Sequence, residues 1–415
     1  MNGIEIRRLG GDEFAAALAI SAIAFGEEYT EEDAEAFRQA FDFDRALCAF
    51  EGAKMVGTCA VLPLDLTLPG RVSIPLAGLT WVAVLPTHRR RGILRRLMLA
   101  QFADMAVRGE AITGLGASEG NIYGRFGYGP ATSFTSFSVE RAHAAFHSHA
   151  EGASAGRITL LDRTEAAAEL PDIYESLRLL QPGAVSRPPG WWKAHLHDSL
   201  LDRDGAGKMY HTKHETIPGI ADGYVSYRIK DEWAGVSAQY DVRVVDLLAA
   251  DPGVYRALWN YLLTTDLCQT VSCQTGRTDE PLRWLLADPR RFKVNAMADF
   301  LWLRLLDVPR ALAARAYGST GRLVLEVAET FPTPGASRFA LEVHSAGGPQ
   351  VECAHTASEP DLTLKIDALG AAYLGGVTFG SLAAAGRAKQ LRAGAIDHAD
   401  AMFSGGPAPF CMTEF

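Results

Sequence analysis

Hydrophobic and polar residues alternate with a period of two in the first part of the chain. After a strand-like N-terminus at 1–10 and two helical segments, the alternation covers residues 46–51 and 54–62, and it continues through 65–75 to 76–84. Segments of this period that end at turn residues are typical of antiparallel strands. The pattern therefore predicts a strand, two helices and then a meander of strands.

The period changes after Pro86. Five apolar residues then recur at the spacing of one helix face, namely Ile93, Leu94, Leu97, Met98 and Phe102. An apolar stretch of small residues follows at 111–117, and a turn with glycine leads from it into a short helix around Ile122 and Tyr123. The predicted order is strand, loop, helix, strand and short helix.

The same order of elements returns in the middle of the chain. A hairpin, a strand, a helix and a further strand are predicted at residues 211–215 with 222–229, at 243–248, at 251–263 and at 270–274. Repetition of one order of elements indicates two domains of the same fold. The two copies therefore place an α/β domain in each of the first two thirds of the chain.

The last third has a different order. Strands are predicted at 322–326, 339–344, 350–354 and 362–366, and helices follow around 369–374 and 381–386, which indicates an α+β domain. The 415 residues exceed what one hydrophobic core usually organises. We therefore expect three domains, with the ranges 1–145, 146–300 and 301–415.

Composition narrows the class of protein. With 48% hydrophobic and 21% charged residues, the chain has no apolar run of about 18 residues, and its N-terminus lacks the pattern of a secretory signal. We expect no membrane insertion and a cytoplasmic location, although the sequence leaves secretion open. The net charge of −9 disfavours nucleic-acid binding and suits cationic substrates. Six scattered cysteines predict free buried thiols, and no metal site is expected.

The stretch 82–96 carries the first candidate chemistry. A strand ends there, and a basic loop that contains Gly92 opens a helix, so free backbone N–H groups and the positive end of the helix dipole face one point. Arginines add charge that complements phosphate, and Gly92 permits a close backbone approach. The segment predicts a pyrophosphate site, and taken alone it also fits a solvated basic helix start. In the second copy the loop 249–253 holds no arginine, so we expect that this domain lost the ligand.

A second motif follows at 117–128 and carries a family resemblance. The basic loop resembles the Arg-x-x-Gly-x-Gly/Ala loop of GCN5-related N-acetyltransferases, and Tyr123 with Gly127 and Tyr128 resembles their Tyr-x-x-x-Gly-Phe segment. Leu94 departs from the last Gly/Ala position. It agrees with the Eis family of aminoglycoside acetyltransferases, whose loop reads Arg-Arg-Arg-Gly before larger residues. The resemblance to Eis is specific at 86–94, 117–131 and 410–415, and looser elsewhere.

The resemblance implies a fold, a cosubstrate and an assembly. The fold would be two tandem acetyltransferase domains, of which only the first binds acetyl-CoA, and a third domain like sterol carrier protein; the assembly would be a homo-hexamer. The implied acetyl-CoA contacts are Val82, Ala83, Val84, Arg90, Arg91, Gly92, Ile93, Leu94, Arg95, Ser118 and Glu119. Tyr123 would be the general acid that protonates the leaving thiolate, and a packed aromatic is the alternative for this residue.

The C-terminus is the second part of the implied catalytic machinery. The tail 407–415 is apolar almost to its end, so we expect it to be docked. The resemblance assigns the base to the carboxylate of Phe415, and simple packing of an apolar end is the alternative. Glu414 would contact a second substrate amine. Glu27 and Glu28 belong to an acidic cluster that forms either a solvated helix start or a wall for a polycationic substrate.

Three functions remain open on the sequence. An acetyl-CoA-dependent N-acetyltransferase acting on an aminoglycoside or another polyamine is the reading that the resemblance favours. A protein or peptide lysine is the alternative acceptor, and lipid carriage by the third domain is a non-enzymatic alternative. The natural acceptor and the acetylated positions do not follow from fold resemblance.

Overall fold

The computed structural model describes residues 3–147, 156–348 and 350–415. The expected N-terminal strand begins at Ile4, and the predicted residues 1–2 lie outside the described ranges. The elements of the first part are β1 (Ile4–Arg8), α1 (Phe14–Phe25), α2 (Glu31–Ala40), β2 (Leu47–Glu51), β3 (Lys54–Leu68), β4 (Val72–Val84), α3 (Ile93–Val107), β5 (Ile112–Gly116), α4 (Gly120–Tyr123) and β6 (Gly129–Pro130).

The predicted breaks at 62–65 and 75–76 are wrong, because β3 and β4 are long, continuous partners joined by a turn at 69–71. Pro63 is tolerated inside β3 for a local reason. The pairing of β2 with β3 ends at Cys59. Pro63 lies past this end, so its lack of an N–H group costs no hydrogen bond to β2.

The second part contains β7 (Ser133–Glu140), β8 (Arg157–Leu161), α5 (Arg163–Arg178), α6 (Pro189–His197), β9 (Tyr210–Glu215), β10 (Gly223–Lys230), β11 (Trp233–Ala234), β12 (Ser237–Ala238), β13 (Tyr240–Ala249), α7 (Pro252–Leu263), β14 (Cys268–Gly276), α8 (Leu282–Leu285) and β15 (Lys293–Asp299). The predicted hairpin corresponds to β9 and β10, and the next three predicted elements to β13, α7 and β14. Helices α5 and α6 were not predicted. Asp162 caps α5 by accepting hydrogen bonds from the N–H groups of Thr164 and Glu165.

The third part contains β16 (Leu301–Leu305), α9 (Val308–Ala313), β17 (Gly321–Glu329), β18 (Gly335–Val343), β19 (Val351–His355), β20 (Leu362–Lys365), α10 (Ile366–Ala372), α11 (Phe379–Ala384), β21 (Ala388–Gln390) and α12 (Ala395–Phe403). Its strands form a five-stranded sheet in the order β19-β18-β17-β20-β21. The four predicted strands are present, and α9 and α12 were not predicted.

Two seven-stranded sheets have matching layouts. The first runs β1-β2-β3-β4-β5-β16-β6 and the second β15-β7-β14-β13-β10-β9-β8. In each, a meander leads to one parallel pair, β4 with β5 and β13 with β14. Strand β16 lies in the first sheet although it follows every strand of the second, and β7 lies in the second sheet although it precedes the others. The two sheets are therefore tied together by exchanged strands.

The first sheet and the third part share one hydrophobic core. Leu301 and Leu303 of β16 are packed in the same buried cluster as Leu369 and Tyr373, and all four are at most 1% exposed. This shared core fixes the third part against the first sheet. Among the described residues, no helix combines the length and apolar content that a membrane crossing needs.

Candidate active site

Strands β4 and β5 diverge and leave an opening, named the first cleft. They pair only at Ala77 with Thr113 and Gly78 with Gly114. At Trp81, whose φ is 54°, the ladder between β3 and β4 shifts register, and such a bulge turns the strand. The backbone of 82–84 therefore has no strand partner on the β5 side. An extended ligand chain with amide groups can bond to backbone exposed in this way.

Helix α3 begins beside the first cleft with its backbone donors free. Its N-cap is Gly92, with φ 76° and no side-chain cap. The left-handed conformation favours glycine at this position. The first N–H groups of a helix lack partners within it, so those of Gly92, Ile93 and Leu94 are available to an anion. Ile93 is buried, so it can contribute only through its backbone.

The arginines of this loop differ in what they contact. Arg90 is exposed and has no ion pair among the described residues. Arg91 Nη2 lies 2.5 Å from Glu51 Oε1, and His88 Nε2 lies 3.2 Å from Glu51 Oε2. The hydrogen bond from Arg91 is the main reason why the pKa of Glu51 lies below its usual value, and His88 adds to it. Glu51 and His88 were not among the predicted site residues.

Arg95 points elsewhere. Its guanidinium lies 5.3 Å from the centre of the Phe331 ring, a cation–π contact with the third part of the chain. The structure therefore groups Arg90, Arg91, Gly92 and Leu94 at the helix start and gives Arg95 a different partner.

Helix α7, the counterpart of α3, begins differently. Its N-cap Asp251 accepts hydrogen bonds from the N–H groups of Gly253 at 2.7 Å and Val254 at 3.0 Å. The first N–H groups of α7 are therefore already bonded to a carboxylate, whereas the corresponding groups of α3 are free. The start of α7 disfavours a phosphate for this reason.

Tyr123 lies in the short helix α4, which follows β5 beside the first cleft. It is 5% exposed and packs edge-to-face on Tyr128, with ring centres 6.2 Å apart. Its hydroxyl has no hydrogen-bond partner in the part of the chain that the structure describes. Burial raises the pKa of Tyr123 above its ordinary value. At neutral pH this hydroxyl is therefore a proton donor.

A cavity of about 520 Å³, named the Tyr123 cavity, adjoins this hydroxyl. Its wall combines both strands of the cleft, the acidic loop after α1 and the chain's end. The lining residues that bear on chemistry are Glu27, Trp81, Val82, Ser118, Tyr123, Thr413, Glu414 and Phe415. Glu28 is exposed and Glu119 is the N-cap of α4, and neither lines the cavity. Ala83 is buried and Val84 half-buried on the strand beside it.

The C-terminal tail is docked, as expected. Six hydrogen bonds between described residues tie it to the second part of the chain. They run from Gln181 Nε2 to Ala408 O (2.8 Å), from Ala408 N to Asp279 Oδ2 (3.0 Å), from Phe410 N to Pro182 O (2.8 Å), from Arg187 Nε to Thr413 Oγ1 (2.9 Å), between the hydroxyls of Tyr174 and Thr413 (3.1 Å) and from Trp191 Nε1 to Glu414 O (2.7 Å). The Phe415 ring lies against Gly78, where a Cβ would come within 3.0 Å of Phe415 Cε2. The chain therefore ends where β4 and β5 begin to diverge.

A second cavity of about 550 Å³, named the Asp202 cavity, shares a wall with the first. Phe37, Trp81, Glu414 and Phe415 line both. The pKa of Glu414 is raised, chiefly by desolvation and further by the charges of Asp202 and Glu27. Negatively charged groups thus lie near the end of the chain, and a cation bound there would reduce their mutual repulsion. Phe37, Trp81 and Trp191 were not predicted as site residues.

Comparison with known proteins agrees with this geometry. Family models match an acetyltransferase (GNAT) domain at residues 5–131, a second at 183–305 and a sterol carrier protein domain at 308–412. The fold class is thereby confirmed as tandem acetyltransferase domains followed by a sterol-carrier-like domain. The chain is a GCN5-related N-acetyltransferase, a class of enzyme that uses acetyl-CoA.

Individual relatives define the family. N-acetyltransferase Eis of Mycobacterium tuberculosis is 34% identical over 399 residues, which is 95% of each chain. An uncharacterised N-acetyltransferase of Streptomyces griseus is 35% identical over 407 residues, or 97% of each chain. The crystal structure of Eis1 from Mycobacterium abscessus superposes with a TM-score of 0.87 at 36% identity, covering 99% of this chain and 100% of the other. The chain belongs to the Eis family of N-acetyltransferases.

Proposed function

We propose that this enzyme transfers the acetyl group of acetyl-CoA to a primary amine of a small polycation such as an aminoglycoside. The observation that carries the proposal is the meeting of three features in one cavity: the first cleft, the Tyr123 hydroxyl and the end of the chain. Acetyl-CoA supplies the thioester. The first cleft would hold its pantetheine arm along 82–84, with Ser118 at the border, and its pyrophosphate at Arg90 to Leu94.

Tyr123 is the proposed general acid. Its hydroxyl lines the cavity without a protein partner and stays protonated at neutral pH because burial raises its pKa. A positioned donor is useful because the departing sulphur, with a thiol pKa of about 8.5, takes up a proton near pH 7. Tyr123 would give its proton to the departing sulphur.

The carboxylate of Phe415 is the proposed base. It belongs to a tail fixed by hydrogen bonds up to Glu414, so its charge is held in place. It would bind the incoming ammonium, take one proton and leave the free amine that attacks. No cation among the described residues forms an ion pair with it.

The acidic lining supports a polycationic acceptor. The acidic residues of the Tyr123 cavity are Glu27, Asp299 and Glu414, and its described lining contains no cationic side chain. The adjoining cavity carries both signs of charge, with the acidic residues Asp202, Asp204, Asp246 and Glu414 and the basic residues Arg187, Arg203, Arg228 and Arg243. Since the lining residues come from both large sheets and the tail, the acceptor must enter a recess between them. That favours a compact amine over the side chain of a folded protein.

The third domain is proposed to position the tail. Its interior is filled, since Leu369, Tyr373, Phe379 and Phe403 are at most 2% exposed and the buried Arg315 donates hydrogen bonds to the carbonyls of Tyr373 and Phe403. Dense packing leaves little reason to propose lipid carriage. The ranges 1–145, 146–300 and 301–415, the homo-hexamer and the cytoplasmic location stay predictions.

The test is an acceptor panel. The protein is incubated with acetyl-CoA and aminoglycosides, polyamines or lysine peptides, and the products are weighed by mass spectrometry. We expect acetylated aminoglycoside or polyamine and little acetylated peptide. Preferential acetylation of peptides would shift the acceptor to protein lysine, and no product together with no acetyl-CoA binding by calorimetry would refute the proposal.

A further inference from the structure

The second sheet has its own opening, between the strands that correspond to β4 and β5 of the first sheet. Strands β13 and β14 pair in parallel from Tyr240 with Cys268 to Val244 with Cys273, and then they diverge. A cavity of about 320 Å³ lies between their ends and is named the Glu280 cavity. Its apolar wall comes from Leu248, Tyr255, Trp259, Leu285 and two tail residues, Phe410 and Met412.

Polar atoms without partners gather around this cavity. Of the nine buried side-chain nitrogen and oxygen atoms that lack a hydrogen bond among the described residues, three belong to its lining: Asp246 Oδ1, Trp259 Nε1 and Glu280 Oε1. These residues are 4%, 2% and 8% exposed. A buried polar atom without a partner is costly. Trp259 and Glu280 line this cavity and neither of the two described above, whereas Asp246 stands in the wall shared with the Asp202 cavity.

Glu280 has no positively charged partner among the described residues. Burial raises the pKa of its carboxyl to about 8, although the backbone N–H groups of Leu282 and Arg277 act in the opposite direction. The other charged residues of the lining are Asp246, Asp251, Arg71 and Arg277. Asp246 Oδ2 already accepts from Arg187 and Tyr224, and Arg277 is paired with Asp279 at 2.9 Å. No cation among the described residues pairs with Glu280.

The unpaired atoms define what would fit. Glu280 and Asp246 offer acceptor oxygens, Trp259 offers an N–H donor, and the aromatic rings of Tyr255 and Trp259 suit a cation beside an apolar body. The start of α7 disfavours a ligand with a phosphate group, because Asp251 already accepts from the N–H groups of Gly253 and Val254. We propose that the Glu280 cavity binds a small amino alcohol with a compact apolar body, whose ammonium pairs with Glu280 and whose oxygen accepts from Trp259.

The test uses 2-amino-1-phenylethanol as the probe, with calorimetry on the full-length protein. Two analogues are compared: 1-phenylethane-1,2-diol lacks the amine, and 2-phenylethylamine lacks the hydroxyl. Glu280→Gln should weaken binding of the probe at least tenfold, because it removes a charge-assisted hydrogen bond. Trp259→Phe should weaken binding of the probe and leave the affinity for 2-phenylethylamine unchanged. Glu359→Gln, the same change on an exposed side chain, is the matched control.

Proton release gives a measurement that needs no variant. Glu280 is mostly protonated at pH 7, so pairing with the probe's ammonium should release a proton, and the binding enthalpy should depend on the buffer's ionisation enthalpy. Acetylation of the acceptor should be unaffected in Glu280→Gln, which separates this site from the active site. Three results would overturn the proposal: no binding of the probe, the same probe affinity in Glu280→Gln as in the wild type, or the same wild-type affinity for the diol as for the probe. In each case the three unpaired atoms would be assigned to hydrogen bonds with water.

Discussion

Tyr123 is the residue whose environment most directly serves a chemical step. Replacing it with Phe removes the hydroxyl and almost no volume. We expect Tyr123→Phe to lower kcat about 10²-fold or more, because general-acid help is typically worth that much, and to leave acetyl-CoA affinity nearly unchanged. Steady-state kinetics and calorimetry measure the two effects separately.

Tyr128→Phe is the matched control for Tyr123. The Tyr128 hydroxyl lies 3.1 Å from Thr113 Oγ1, and this residue does not line the Tyr123 cavity. It should cost about 1 kcal/mol of unfolding free energy and little turnover. Weakened acetyl-CoA binding with normal turnover in Tyr123→Phe would make Tyr123 a packing residue.

His195 gives a prediction about pH. Its ring stacks on Trp191 with centres 4.6 Å apart, its Nε2 has no partner among the described residues, and desolvation followed by the charge of Arg187 lowers its pKa from 6.5 to about 3. The folded protein thus holds His195 neutral, and stability should fall as the pH drops from about 6.5 towards 3. When the pH is lowered from 7 to 5, the free energy of unfolding of His195→Phe should fall by roughly 1–2 kcal/mol less than that of the wild type, as measured by urea unfolding. Identical pH profiles would show that this ring titrates normally.

Single residues were only partly predictable. The short helix predicted around Tyr123 is present as α4, because the turn after a strand is a local feature of the sequence, whereas the catalytic role of Tyr123 stays a prediction. Glu27 and Glu28 could not be separated, since the direction of each depends on the left-handed turn at Gly26, and only Glu27 enters the cavity. Trp81 was missed because a bulge, which depends on pairing with β3, turns it into the site.

At the scale of elements, the contrast between α3 and α7 separates a helix start that can bind phosphate from one that cannot. Arg90 is the clearest probe, since it is exposed beside the free donors of α3. Arg90→Glu should weaken acetyl-CoA binding more than tenfold at low salt, because it removes a phosphate contact and adds repulsion. Arg290→Glu, on an exposed turn of the second part, should have little effect. Equal dissociation constants for the two variants would make the loop a surface feature.

Glu51 leads to an opposite prediction at the same helix start. It holds Arg91 at 2.5 Å and places a negative charge beside the expected pyrophosphate site. Glu51→Gln should therefore tighten acetyl-CoA binding a few-fold, and the gain should shrink as salt rises. Weaker binding in calorimetry would mean that Glu51 positions Arg91 for the ligand instead of competing for it.

The sequence predicted the order of the elements along the chain, but it did not predict which distant strands pair with each other. Strand β16 lies beside β5 and pairs Leu303 with Gly114, a contact that spans most of the first two thirds of the chain. Local periodicity identifies a strand and says nothing about such distant pairing. Helix α5 was missed even though its capping residue, Asp162, and its apolar spacing are both in the sequence.

At the scale of the whole molecule, all three parts contribute to one site. The first sheet supplies the cleft and Tyr123, the second part anchors the tail through Gln181, Arg187 and Trp191, and the third part delivers the chain's end. The sequence could indicate that an apolar tail docks. Where it docks depends on the space left by Gly78, which only the folded sheet defines.

In the proposed reaction the carboxylate of Phe415 acts on the amine. The most direct measurement compares turnover of the wild type with that of a semisynthetic protein whose C-terminus is an amide, which removes the charge and keeps the shape. We expect about a 10²–10⁴-fold lower kcat, with folding and acetyl-CoA binding intact. Normal turnover with an unchanged pH dependence would contradict this account and give the proton to another group.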